Sequence, residues 1–311
     1  MINGAKDILG RRPRAAWVER KLAAHCLVDR FKHYESVALS SAWMRPSLGD
    51  PRAKLDRAGE HLDTLGAELR AFAEREPHAI IPDDGLDDGW KVLRIRVREE
   101  PPLKLGLIFG DFIHNLRSVL DNLVCQLARL GGADNCNTTQ FPICDTAQQF
   151  SGQVRRGRLA GLSDEHIAAI ELLQPHPGRN LNHYFALTAL RDFDNIDKHQ
   201  AIHAAVIAVD PRPEAMRARR ARTDSEVAFE IEPVTIGKPL YEGAIVARVR
   251  IVSGSLKPNM GMEFEFPLRM GFGEHGLVED KLPAIWRLVQ EIVESFAPAF
   301  DEATYGDSQD R

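Results

Sequence analysis

Only four cysteines occur in 311 residues, Cys26, Cys125, Cys136 and Cys144, and no two are spaced C-x-x-C. That leaves a zinc ribbon and a thioredoxin-type centre without support. Four free thiols are expected, as suits a reducing cytoplasm. Long apolar runs are missing too. No stretch reaches the ~18 residues that span a bilayer, and Met1 to Arg14 lacks the apolar centre of a secretion signal. The expectation is a cytoplasmic protein without membrane partners. Positive charge is not in excess either. The formal net charge of −5 advertises neither nucleic acid nor an anionic membrane, although a local basic patch could bind one. No internal repeat is found. Neither a phosphate-cradling glycine loop nor G-x-S-x-G stands in a strand-to-helix context, so nucleotide-fold and serine-hydrolase chemistry lack support. No cofactor is expected.

What is present is ordinary globular composition, 44% hydrophobic and 27% charged. Helical periodicity predicts a first helix over residues 15 to 45, with Trp17, Leu27 and Phe31 on its face, and a second over 51 to 76, with Leu55, Leu62, Leu65, Leu69 and Phe72. A Pro/Asp/Gly loop, Pro82 to Gly89, follows. Lys91 to Arg98 alternates strictly and reads as a half-buried strand. Residues 103 to 130 form the longest apolar helix, closed by Gly131-Gly132, and a polar loop with Phe141-Pro142 follows. Ser163 caps a short helix to Leu173. Another long helix is expected from Leu181 to about Val209. Alternating segments then fall within 226 to 270, and a closing helix over 278 to 296.

The predicted fold class is α+β and mostly α. An antiparallel helical bundle, about residues 15 to 210, carries a small three- or four-stranded antiparallel sheet on one side. The early strand is expected to join the late ones, its Arg94, Arg96 and Arg98 facing Glu230, Glu232, Glu263 and Glu265 across the sheet. That sheet would tie distant parts together, so residues 1–311 read as one domain. The run Arg217, Arg219, Arg220, Arg222 and the smaller run Arg155, Arg156, Arg158 read as solvated loops.

Two helices hold more polar residues than a buried bundle needs. On the first, Asp111, His114, Ser118, Asp121 and Asn122 share one side, and Arg117 can pair with Asp121 at i,i+4. On the second, Asp192, Asn195, His199 and His203 share a stripe. One reading is a buried polar network that fixes helix register, with Arg117–Asp121 and Asp194–Lys198 pairs. A second is a metal site from Asp111-x-x-His114 and His199-x-x-x-His203, spacings that divalent-metal helices use, although these helices offer mainly aspartates where di-iron bundles use glutamates. A third is metal-independent chemistry on RNA, in which an arginine stabilises phosphorane-like charge and a histidine moves the ribose proton. The catalytic candidates are then His199, Arg117, His114, Asp121, Asp192 and Asn195.

The strings GDFIHNLRSVLDNLVCQLA, TQFPI, LLQPHP and LRDFDNIDKHQAIH, in that order, resemble a widespread family of uncharacterised bacterial proteins. Its members carry HNLRSxLDxL and LDxIDKH helices with FPI and LQP landmarks between them. The likeness covers about residues 90 to 210. In relatives the residue after the Asp121 equivalent is often His, which gives Arg-x4-His. That spacing is like the HEPN domains, helical bundles that act on RNA. This chain has Asn122 there, so His199 of the neighbouring helix would have to supply the imidazole. The only literal Arg-x4-His here, Arg20 to His25, is a spacing that chance supplies in a chain so rich in arginine. The resemblance implies a HEPN-like, RNA-directed or defence-type protein with RNA as partner. The alternative is a non-catalytic interaction protein whose polar helices form a structural network or a homodimer face. A metal-dependent hydrolase is third.

Overall fold

The structure is a computed structural model that describes residues 45–83, 89–176, 181–199, 206–209, 217–219, 228–234, 240–253, 263–265, 268–271 and 281–306. The expected helix over 15 to 45 lies outside them except for Arg45. Internal contacts separate Met1–Arg45 from Pro46–Arg311, and the architecture here is that of the second unit.

Helix α1 (Gly49–Ala73) and helix α2 (Leu103–Leu130) form the spine. Their cross-contacts show that they run antiparallel. The Ser47 N–H donates to Gln126 Oε1, Lys54 Nζ to Ser118 Oγ and Lys104 Nζ to Glu68. The regular apolar arc of α2 explains its place. Phe112, Ile113, Leu116, Val119, Leu120, Leu123 and Val124 are fully buried, and each such side chain contributes roughly 1.5–3 kcal/mol of burial. The two glycines after α2 serve different needs. Gly132 takes a left-handed φ of +88°, which glycine reaches at no steric cost. Gly131 has an ordinary φ of −78°, but a Cβ there would lie 1.9 Å from the Gly161 carbonyl oxygen.

Helix α3 (Ala147–Arg155) lies where the sequence reads as loop. It starts because Thr146 Oγ1 accepts the Gln149 N–H while Gln149 Oε1 accepts the Asp145 N–H. Helix α4 (Asp164–Leu172) begins as expected, with Ser163 Oγ accepting the His166 N–H and Asp164 and Glu165 in the first turn. Helix α5 (Leu181–His199) ends well before Val209. Helix α6 (Lys281–Ser295) returns across α1, with Trp286 Nε1 donating to the Leu55 carbonyl. Helix α7 (Ala297–Gly306) follows it. Phe109 and Phe193 meet edge-on at 5.3 Å, which fixes α5 against α2.

Strands β1 (His78–Asp83), β2 (Lys91–Val97), β5 (Ala228–Pro233) and β6 (Ile245–Ser253) form an antiparallel sheet in the order β1-β2-β6-β5. The early strand therefore does join late ones. Strand β1 falls between the expected helix over 51 to 76 and the expected loop, and takes in Pro82 and Asp83 of that loop. Its Pro82 is tolerated because β1 is an edge strand. Leu93, Ile95, Val246, Ala247 and Val249 make a small core under this sheet.

The charge pairing differs from the expectation. Arg94 bonds Asp83, Arg98 reaches Glu76, and Glu230 is taken by Arg250. Glu263 and Glu265 are not in this sheet. They lie on β7 (Glu263–Glu265), in register with Arg219 and Arg217 of β4 (Arg217–Arg219), so part of the expected basic loop is a strand. Strand β3 (Val206–Val209), expected to be helix, pairs with β8 (Leu268–Gly271). A short apolar run fits either state by pattern alone, and here strand pairing wins.

The expectation of four free thiols is also corrected. Cys125 on α2 and Cys136 in the following loop form a disulfide, and Cys144 is free and buried. The bridge removes the argument that free thiols made for a reducing compartment. Among the described residues no helix is long and apolar enough to cross a membrane.

Candidate functional site

The polar landmarks converge on one loop, Gln140 to Asp145, which passes beneath α2 and α5. At its start the Gln140 N–H donates to the Arg158 carbonyl at 2.9 Å. The next residue is gripped twice. Arg117 donates to the Phe141 carbonyl at 2.6 Å, and Asp121 Oδ1 accepts the Phe141 N–H at 2.9 Å. The two side chains also pair with each other at 3.0 Å, with Arg117 only 8% exposed. The Phe141 ring is fully buried in the helical core.

The far end of the loop is held from two other elements. Gln174, 1% exposed, accepts the Cys144 N–H at 2.9 Å and donates to the Ile170 carbonyl at 3.0 Å. Arg191 on α5 donates to both oxygens of Asp145 at 2.8 Å and to Asp192 at 3.0 Å. Four segments of chain thus spend their polar atoms on four of the six loop residues, Gln140, Phe141, Cys144 and Asp145. A loop that runs through a core needs such partners, because a buried peptide group left unpaired costs about 1–3 kcal/mol.

The electrostatics are those of a closed network. Burial pushes the Cys144 thiol above its usual range, and neighbouring Asp145 adds to this, while Arg191 and Arg117 pull the other way. The thiol stays protonated and is a poor nucleophile. For Arg191 burial works against the charge, but the hydrogen bonds it donates to Asp145 and Asp192 outweigh it and raise the guanidinium above its ordinary value.

The sequence candidates divide into three groups. Arg117, Asp121 and Asp192 belong to the loop clamp. Asp111 and His114 are exposed one turn apart on α2, and Asn195 is exposed on α5. Asn115 Nδ2 donates back to the Asp111 carbonyl. The helix stripe read from the sequence is therefore split, with Asp111 and His114 outward and Asp121 turned to the loop. His199 closes α5, and its side chain lies outside the described residues, as does all of His203. Asp194 is buried. The Asp197 carboxylate sits over Gly110 of α2, where an added Cβ would lie 2.6 Å from its Oδ1. Among the described residues no three His, Cys, Asp or Glu side chains are grouped so as to hold a metal ion.

Sequence reasoning missed three participants. Gln174 was visible only as part of the LLQPHP landmark, and Asp145 carried no signal. His176 is 8% exposed, and its Nε2 has no hydrogen-bond partner among the described residues. Comparison with family models, with curated proteins and with solved structures finds no match.

Proposed function

We propose that this chain is a non-catalytic interaction protein, in which the polar helices form a structural network around the Gln140–Asp145 loop. The observation that carries this reading is the double grip on Phe141. An arginine that is to meet a phosphate needs a guanidinium with N–H groups left to donate to it. Arg117 instead directs its own to a buried carbonyl and a carboxylate. The other arginine of the site, Arg191, is bonded to two aspartates. Position 122, where a HEPN-like Arg-x4-His would place its imidazole, is Asn122.

The HEPN-like, RNA-directed reading has one observation of its own. Asp111 and His114 stand exposed one turn apart on α2, and such an imidazole can serve proton transfer. One assay separates the two. Labelled total RNA is incubated with the purified protein, with and without EDTA, beside His114→Ala and His199→Ala. Intact RNA in every lane is the expected result. Cleavage that survives EDTA and disappears in either variant would establish the RNA-directed reading. Cleavage that EDTA abolishes would point to the metal-dependent hydrolase.

A further inference from the structure

Helices α5 and α6 enclose a groove of about 450 Å³, which is the size of a small-molecule site. It shares no residue with the loop clamp. Its floor is apolar, with Leu288 of α6 buried there. The small side chains of Ala189 on α5 and Ala284 on α6 leave the space above that floor open. Phe185 lines it as well, 65% exposed, with its ring edge-on to Tyr184. Two charged side chains of α6 reach the same groove, Arg287 and Glu291, and both are exposed.

These two charges stand one turn apart, the cation first, which is the weaker order for pairing along a helix. Among the described residues neither forms an ion pair, with the other or with anything else. Arg287 Nε donates to the Pro283 carbonyl of its own helix at 3.2 Å, which steadies the guanidinium and leaves its two terminal nitrogens to donate elsewhere. The third lining charge, Lys281, already has a partner. His183 of α5 lies close enough to Glu291 to feel its charge, but burial keeps the imidazole neutral. The groove thus offers one cation, one anion and an apolar floor. We infer that it binds a free α-amino acid with an apolar side chain. The ligand carboxylate takes the terminal N–H groups of Arg287, and its ammonium donates to Glu291. Its side chain covers Leu288 and packs against Phe185. Cβ atoms four residues apart on a helix are about 5–6 Å from each other, so the two side chains can meet both ionised groups that an α-amino acid carries on one carbon. A simple carboxylic acid would leave Glu291 without a donor, and a simple amine would set its charge beside Arg287.

The test titrates the full chain by calorimetry with L-leucine and with L-phenylalanine. At least one is expected to bind with a Kd below about 1 mM. The amide of that amino acid lacks the carboxylate, and its deaminated acid lacks the ammonium. Each is expected to bind at least about tenfold more weakly, a difference of about 1.4 kcal/mol, and glycine, without an apolar side chain, weaker still. The variants assign the contacts. Arg287→Ala is expected to weaken the amino acid about tenfold and leave the amide unchanged. Glu291→Ala is expected to weaken the amino acid and leave the deaminated acid unchanged. Ala284→Trp fills the groove and is expected to abolish binding. All three positions are exposed, and circular dichroism melting confirms that each variant is folded. Absence of binding by both amino acids would overturn the proposal. So would an amide, a deaminated acid or glycine that binds as tightly as the amino acid, or binding that survives undiminished in the variants. The outcome is independent of the interaction reading, which fails separately, on RNA cleavage.

Discussion

Arg117 and Asp121, one turn apart on α2, hold opposite polar groups of the same residue, the carbonyl and the N–H of Phe141. An i,i+4 pair on a helix surface is worth a few tenths of a kcal/mol. Here the pair is turned toward a loop, and its members also satisfy both backbone polar groups of a residue whose side chain fills the core. Removing either leaves a polar group without its partner. Arg117→Ala and Asp121→Ala are each expected to destabilise the fold by about 1–3 kcal/mol, seen as a lower denaturant midpoint. Asp121 is the more exposed of the two, so its effect should be the smaller. Because both act on one residue, the double variant should cost less than the sum of the singles. Wild-type midpoints in both single variants would contradict the clamp.

Gly131→Ala tests the close approach at the end of α2. The backbone there would accept alanine, but the Cβ would meet the Gly161 carbonyl oxygen, which belongs to main chain and cannot swing away. A loss of about 1–3 kcal/mol is expected from the forced shift. Gly132→Ala fails for a different reason, its positive φ, with open space around the Cβ. Equal stability of Gly131→Ala and wild type would mean that the two segments do not touch.

The Cys125–Cys136 bridge closes a loop with a sequence separation of 11. Loops of this size are stabilised by roughly 3 kcal/mol when crosslinked. Reductant, or the pair Cys125→Ser and Cys136→Ser, is therefore expected to lower the melting temperature, and the same reductant should leave the serine variant unchanged. Peptide mapping without reductant should recover the two cysteines in one crosslinked fragment. Recovery of both as free thiols would contradict the bridge.

Acid should weaken the fold in a defined window. Burial holds His183 and His78 below the ordinary imidazole value of 6.5, with Glu291 working partly against it at His183. The unfolded chain then takes up these protons more readily than the folded one. Stability is full above about pH 6.5 and falls as pH drops through that value toward the lowered folded ones. The urea midpoint is expected to fall between about pH 7 and pH 5, and His183→Leu should flatten part of that fall. Glu99 and Glu294 are held low by hydrogen bonds from Arg75 and Arg52, so their losses come only at lower pH. A midpoint that does not change over the upper window would contradict half-buried histidines that resist protonation.

The spine of the fold was legible because its signals are local and strong. The apolar period of Leu103–Leu130 and the strict alternation of Lys91–Val97 give both elements their limits to within a residue. The Ser163 cap was equally plain. Helix α3 was missed although Thr146-Ala-Gln-Gln149 has capping-box spacing, because its apolar content is too small to show a period. Strand β3 was mistaken for the end of α5, since Val206-Ile-Ala-Val209 takes its state from β8, about sixty residues away. The disulfide has no local signature at all.

The candidate site was half legible. The spacing of Arg117 and Asp121 announced the pair. That both atoms sets are directed at Phe141 was not readable, because the loop comes from a segment without pattern. Nor could the helical wheel tell that Asp111 and His114 face solvent while Asp121 faces the loop. Gln174 and Asp145 join the site only through tertiary packing, and neither residue type at those positions carries a periodic signal.

The clamp is tested most directly by hydrogen exchange at the Phe141 amide, followed in wild type and in Asp121→Ala. That N–H has one acceptor in view, the Asp121 carboxylate. The account predicts slow exchange in wild type and, in the variant, fast exchange at Phe141 while the buried amides of α2 remain slow. Exchange at Phe141 that is fast in wild type, or slow to the same degree in both, would contradict it and return Arg117 and Asp121 to the list of groups free to act on a ligand.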